Sequence, residues 1–346
     1  MAGLFDLEFH EKKIKEYQPT LAKLDLVIDW EMFRETIEKA LYVEPKGAGG
    51  RPPFDKIMMF KILILQKYYN LSDEQTEFQI NDRTSFKQFL GLKIGDTIPD
   101  EKTIWHFKEQ LANKDLSKSL FEMFAVALMD KGIIAKEGSI VDATFVDVPK
   151  QRNSKEDNAD IKKGAVPLKF GKKDKNGKQS KLCQKDTDAR WMTKSGEKHF
   201  GFKDHINADE KTKLITKYSV TSAAPHDSTE IENIVDETDN RLHADSAYRS
   251  KEIEEHLKAI ECESFVHEKG YRGSPLTEQQ KESNNKKSKI RARVEHISGF
   301  MTNSMNNALY MRSIGIKRIK ESIGLLNLTY NLFRFEQLIR IEKVKI

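Results

Sequence analysis

Hydrophobic residues recur at helical spacing through roughly the first 135 positions and switch to alternation near Gly138. Trp30, Phe33, Ile37 and Leu41 line one face behind Asp29, whose side chain suits an N-cap. After Pro52 and Pro53, the stretch Phe54 to Tyr69 places Ile57, Met58, Phe60, Ile62, Leu63, Ile64 and Leu65 around the whole circumference. That pattern predicts a helix buried on all sides at the centre of an N-terminal domain. Ser72 with Gln75 makes a capping-box start, Ser85 is a candidate cap for the next helix, and Gly91 to Pro99 is the turn after it. Asp100 caps a helix carrying Ile104, Phe107 and Leu111, and Leu116, Leu120, Phe124 and Leu128 form another that closes at Gly132. Short helix, turn, helix suits a groove reader and equally any helical bundle.

From Gly138 onward, Ile140, Asp142, Thr144 and Val146 alternate with Val141, Ala143 and Phe145, the signature of a strand. The stretch from Lys150 to Lys185 shows no sustained period and is expected to be a long loop, mobile or ordered by a ligand. His199 to Asn207 and Leu214 to Thr221 read as a hairpin, Ser228 to Asn240 as a helix, and Arg241 to Asp245 as a short strand. Ser250 caps a helix, Ile260 to His267 is a further strand, and Ile290, Val294, Ile297 and Met301 form an apolar helical stripe. A last helix spans roughly Glu321 to Ile341. The order predicts an α/β fold: an all-helical domain over 1–135, then a mixed sheet flanked by helices over 136–346, with a basic insertion at 150–185.

Charge sharpens this picture. The insertion carries twelve Lys and Arg against four Asp and Glu, a net of +8 in a chain whose total is +5. Lys281, Lys286, Lys287, Lys289, Arg291 and Arg293 make a second basic cluster. Such clusters attract phosphate backbones, although each alone is as readily a solvated loop or helix face. The chain has two cysteines, Cys183 and Cys262, too few and too far apart for a disulfide framework or a paired zinc site. Acidic residues break up the first dozen positions, so no secretory leader is expected, and no apolar run is long enough for a membrane span. A cytoplasmic, nucleoid-associated protein is the expectation.

Three acids stand out by position. Asp142 lies within an otherwise apolar strand, Asp245 at the carboxyl end of another, and Glu295 beside the apolar stripe of a helix. A carboxylate in a core strand loses hydration and calls for a compensating cation or donor, and strand carboxyl ends are where α/β sheets gather their sites. Hard cations such as Mg²⁺ take oxygen ligands of this kind. The plainer readings are a turn or cap role for Asp245 and an i, i+4 pair of Glu295 with Arg291.

Four ordered blocks resemble the signature of DDE transposases of the insertion sequence five family. They are Val141 to Pro149, Ala224 to Ser228, Ala244 to Tyr248, and Arg291 to Phe300; Gly50 to Phe54, Asn81 to Phe86 and Ile98 to Ile104 are similar too. The resemblance covers nearly the whole chain. It implies a ribonuclease H-like catalytic domain in which Asp142, Asp245 and Glu295 hold two Mg²⁺ or Mn²⁺ ions per active site, with Arg291 as a catalytic partner. It further implies cleavage at inverted-repeat ends of double-stranded DNA, strand transfer to target DNA, and action as a homodimer. Lys286, Lys287, Lys289, Arg291 and Arg293 become candidate DNA contacts. Relatives carry a Tyr and a Lys where this chain has Ser288 and Thr302, which leaves phosphate anchoring to Lys289 or Arg293. Two other readings are a catalytically silent, transposase-derived DNA-binding protein and a metal phosphohydrolase built on His226 and Asp227, with His199, His205 and His243 as further ligands. For His226 and Asp227 within a transposase, a structural or supporting role is the expectation.

Overall fold

In the computed structural model, described for residues 6–344 except 18, 45–48, 50–51, 136, 174–178, 182–183, 195 and 272, a helical block precedes a mixed sheet. Gly50, Arg51 and Cys183 lie outside the described residues. Among the described residues eight α-helices come first: α1 Asp6–Glu16, α2 Thr20–Val27, α3 Arg34–Ala40, α4 Lys56–Tyr69, α5 Asp73–Asp82, α6 Thr84–Phe89, α7 Glu101–Lys114 and α8 Leu116–Asp130. The starts follow cap chemistry. Asp55 caps α4 by accepting from Met58 N at 2.9 Å, Ser72 caps α5 through Gln75 N at 3.1 Å, and Asp100 caps α7 through Thr103 N at 2.7 Å. Asp29 caps a short 3₁₀ turn, Trp30–Phe33, that leads into α3. Ser85 is not a cap: it lies inside α6, whose N-cap position is Arg83. α4 is the buried centre that its all-round apolar pattern requires, and Phe33 meets Phe60 with ring centroids 5.0 Å apart.

The sheet is built from β1 Ser139–Asp147, β4 Arg190–Lys194, β5 Glu197–Asp209, β6 Ile215–Ser222, β7 Arg241–His243 and β8 Glu263–Ser264. Its order is β4-β5-β1-β7-β8, with β6 also antiparallel to β5. β1 runs antiparallel to β5 and parallel to β7, and β7 parallel to β8. Four strands joined by antiparallel pairing, β1, β4, β5 and β6, followed by two parallel to β1, make the ribonuclease H-like sheet. Ile140 and Val146 look into a core shared with the N-terminal helices, whereas Val141 joins a smaller core with Leu242, Ile253 and Leu257. The remaining helices are α9 Lys155–Lys162, α10 Ile231–Ile234, α11 Lys251–Ala259, α12 Glu278–Arg291, α13 Glu295–Gly299 and α14 Ile316–Arg340.

The structure corrects several local expectations. The basic insertion is not a bare loop: Ser154 and Asp157 form a reciprocal capping box that starts α9, and β2 Gly171–Lys173 pairs with β3 Gln179–Lys181. A helix over 228–240 shrinks to α10 because Asp239 turns inward and accepts from Asn207, Ser139 and the Asp236 backbone N. β8 covers two residues, not eight. β4 was not foreseen, since five polar-rich residues at a sheet edge show no alternation.

α14 begins at Ile316, earlier than its apolar pattern suggests, and packs against α8, α4 and β6. Gly324 permits the approach: a Cβ there would stand 2.5 Å from the Tyr218 hydroxyl and 2.9 Å from Ser117 Oγ. Its buried polar residues are used. Asn331 bridges both backbone groups of Ile215 at 2.9 and 2.8 Å, and Asn327 donates to Asp204 at 3.2 Å.

Two acids at this seam carry a pH dependence. Burial pushes Asp204 up to about 7 against the opposing Asn327 hydrogen bond, and burial likewise raises Glu321 to about 7 against donors from Ser117. An acid whose pKa is higher folded than unfolded lends stability that is complete below its unfolded value, here 3.8 and 4.5, and is lost as pH rises through about 7. Denaturant midpoints should fall between about pH 5 and pH 8, and Asp204→Asn should reduce that fall by on the order of 3 kcal/mol. An unaltered pH slope in the variant would remove Asp204 from this account.

Candidate active site

The parallel register of β1 and β7 sets Ser139 against Leu242 and Ile140 against His243. Continued by two residues, it places Asp245 beside Asp142. Both carboxylates are held by the backbone: Asp142 Oδ1 accepts from Ala143 N at 2.9 Å, and Asp245 Oδ1 caps a short 3₁₀ turn, Ser246–Tyr248, through Ala247 N at 2.7 Å. Burial pushes Asp142 up to about 6, the Ala143 hydrogen bond and the Arg291 charge oppose this, and the Asp245 charge adds to it. A like charge close by raises a carboxyl pKa, and two neighbouring acids attract a cation.

Glu295 comes from the other side. The apolar stripe Val294, Ile297 and Met301 is buried as its spacing predicts. The helix is nonetheless broken in front of Glu295 by tight bonds from Arg293 N to Ile290 O, Val294 N to Arg291 O and Ile297 N to Val294 O at 2.9, 3.0 and 2.8 Å. A π-helical turn, Phe300–Ser304, follows. Such departures within helices gather at functional sites. The Glu295 side chain is 64% exposed and pairs with Arg291, whose Nη2 lies 3.2 Å from Glu295 Oε1 and whose Nη1 lies 3.9 Å from Asp142 Oδ2. The structure thus brings Asp142 and Asp245 together and links Glu295 to them through one guanidinium.

Among the described residues no three His, Cys, Asp or Glu side chains are grouped closely enough to hold a metal ion. The donor set still fits hard cations. It offers carboxylate oxygens only, and the positive charge lodged between Asp142 and Glu295 is Arg291, a cation standing where these acids meet.

Behind the acids lies a second charged layer that sequence reasoning missed. Lys203, in the middle of β5, is 3% exposed, donates to Pro225 O at 2.6 Å and sits 2.7 Å from Asp227 Oδ1. Lys194 of β4 approaches Asp227 Oδ2 at 4.0 Å and contributes to the field at Asp142. Lys203 and Asp204 share their strand with several other polar residues, so its composition did not mark them out. His226 is exposed and caps the turn Asp227–Glu230. The other histidines are dispersed. His199 meets Asp147 at 3.3 Å, His205 bonds Thr221 at 2.8 Å, and His243 lies 3.3 Å from Glu210. Burial holds both His205 and His243 down to about 4.

The basic cluster divides. Lys287 is 13% exposed and donates to Val266 O at 2.8 Å, and Arg293 donates to Glu210 O at 2.8 Å, so both tie α12 and its continuation to the sheet. Lys286 pairs with Glu282 at 3.1 Å on the outer face, and Lys289 is exposed.

Residues 134–332 match the family model described as a transposase DDE domain, more than half of the chain. The chain belongs to the DDE transposase family. A second model, a transposase domain named DUF772, matches residues 8–110 of this transposase and covers most of its helical block. No solved structure matches it. No helix among the described residues is long and apolar enough to cross a membrane.

Proposed function

We propose that this transposase cuts double-stranded DNA at the inverted-repeat ends of its element and joins the freed 3′ ends to target DNA, using Asp142, Asp245 and Glu295 with two Mg²⁺ or Mn²⁺ ions. The observation that carries the reading is the register that sets Asp245 beside Asp142, with a cationic side chain already drawn between Asp142 and Glu295. Bound at the three acids, the ions supply Lewis acidity at the scissile phosphate. Asp142 and Asp245 are fixed by the sheet and so set the position of that phosphate. Glu295 stands at the start of α13 and is linked to Asp142 through Arg291. Arg291 offers a planar fork that suits a phosphate as well as a carboxylate, which gives it a second partner once DNA is present. Lys286 and Lys289 face outward on α12 and are the cluster members placed for backbone contact; Lys287 and Arg293 orient that helix.

The helical region 1–135 is assigned end recognition and pairing of two copies as a homodimer, in a protein acting at the nucleoid. The alternative, a catalytically silent DNA-binding descendant, draws support from the outward Glu295 side chain. A nicking assay on the inverted repeats flanking the protein's own gene, with and without Mg²⁺ at fixed salt, separates the two. Mg²⁺-dependent cleavage at the repeat ends is expected. Binding without any cleavage in either Mg²⁺ or Mn²⁺ would overturn the enzymatic assignment.

A further inference from the structure

A cleft of about 630 Å³ lies between α4 and α7 of the helical block, the first turns of α14 and the segment 310–314. Its charges do not cancel. Lys108 pairs with Asp73, and Arg318 grips Glu109 through two bonds at 2.6 and 2.8 Å. Lys67 and Arg312 are left over. Among the described residues Lys67 donates only to the Ser322 hydroxyl, which uses one of three ammonium protons, and Arg312 has no partner. The remaining acid, Glu321, is raised to about 7 by burial and is only partly ionised at neutral pH; its buried Oε1 lacks a hydrogen-bond partner. Two aromatic side chains stand beside these groups with their surfaces uncovered, Trp105 at 49% and Tyr310 at 36% exposure.

Tyr310 also ties the cleft to the acids. Asp147 N donates to Leu309 O at 3.0 Å and Met311 N to Asp147 O at 2.9 Å, so segment 309–311 is joined to the end of β1. Asp142 lies five residues earlier on that strand, roughly 16 Å away at about 3.3 Å per residue. A smaller cavity of about 340 Å³ fills the interval, lined by Thr144, Ser298, Thr302 and again Tyr310. Thr144 shares the strand face of Asp142, and Ser298 and Thr302 follow Glu295 along its helix.

We propose that the larger cleft binds single-stranded DNA leading away from the cut, with bases stacked on Tyr310 and Trp105 and phosphates met by Lys67 and Arg312. A duplex hides its base faces within the stack, so uncovered rings beside unpaired cations suit unpaired nucleotides. The inference rests on the DNA-cutting reading above.

The test is the anisotropy of a labelled mixed-sequence oligonucleotide of about ten nucleotides, single-stranded or as a duplex, titrated with the full chain at fixed salt without divalent cations. Trp105→Ala and Arg312→Ala, both at exposed positions, are each expected to weaken single-strand binding about tenfold and to leave duplex binding unchanged. Arg312→Ala should also lower the slope of log affinity against log salt by about 0.7, the share of one phosphate contact, and Trp105→Ala should not. Wild-type single-strand affinity in both variants would overturn the assignment. An equal loss for the duplex would do so too, because the cleft would then be a general backbone surface. Nicking of repeat ends by a wild-type protein that does not bind the single strand would sink the cleft alone; single-strand binding with no nicking in Mg²⁺ or Mn²⁺ would sink the cutting reading and leave the cleft.

Discussion

Asp142→Asn is expected to cut cation-dependent nicking of end DNA by about 10³-fold or more. A ligand removed from a two-ion site forfeits several kcal/mol of transition-state stabilisation, at roughly 1.4 kcal/mol per factor of ten. The substitution conserves shape and leaves Lys286 and Lys289 untouched, so DNA affinity at a fixed salt concentration should change little. Unfolding is excluded as the cause by a second measurement on the cation-free protein. Burial and the Asp245 charge raise Asp142 to about 6, so its stability contribution is complete below 3.8 and is lost as pH rises through about 6. The asparagine variant carries no charge to lose. It should therefore be at least as stable as wild type at pH 8 while being inactive there. A variant that nicks at the wild-type rate would remove Asp142 from the chemistry.

Much of this site was legible in the sequence because its elements obey local rules. Alternation located β1, an apolar stripe located the helix of Glu295, and a short strand before Asp245 put that acid at a strand end. What the sequence could not convey is register. The convergence of Asp142 with Asp245 follows from Ile140 lying opposite His243, a pairing between residues about a hundred positions apart that no local periodicity encodes. The break in front of Glu295 was equally hidden, since the spacing of Ile290, Val294, Ile297 and Met301 is that of an uninterrupted helix. The pairing of Glu295 with Arg291 is the i, i+4 contact weighed from spacing, and the structure adds that the same guanidinium reaches Asp142. The basic positions of α12 show the limit of counting charge. Lys287 and Lys286 are neighbours in sequence, yet one donates into the sheet and the other faces solvent, because consecutive helical positions point about 100° apart.

Lys203→Met should destabilise the fold by about 3–5 kcal/mol, the cost of breaking a buried ion pair and leaving one charge behind. Lys203 is 3% exposed and the Asp227 side chain 14%, with 2.7 Å between them, so water cannot replace the ammonium. Lys194 reaches Asp227 only at 4.0 Å from an exposed position and compensates weakly. The loss has two parts that a double-mutant cycle separates. One is the stranded Asp227 carboxylate, which Asp227→Asn neutralises; the other is the hydrogen bond to Pro225 O, which methionine cannot make at all. Lys203→Met combined with Asp227→Asn is therefore expected to recover most, but not all, of the stability lost by Lys203→Met alone. Chemical denaturation of the four proteins at neutral pH reads the coupling directly. Single substitutions that each cost under about 1 kcal/mol, with no coupling, would mean that the pair is solvated like a surface contact. The charged layer would then lend no rigidity to the strand that lies against Asp142.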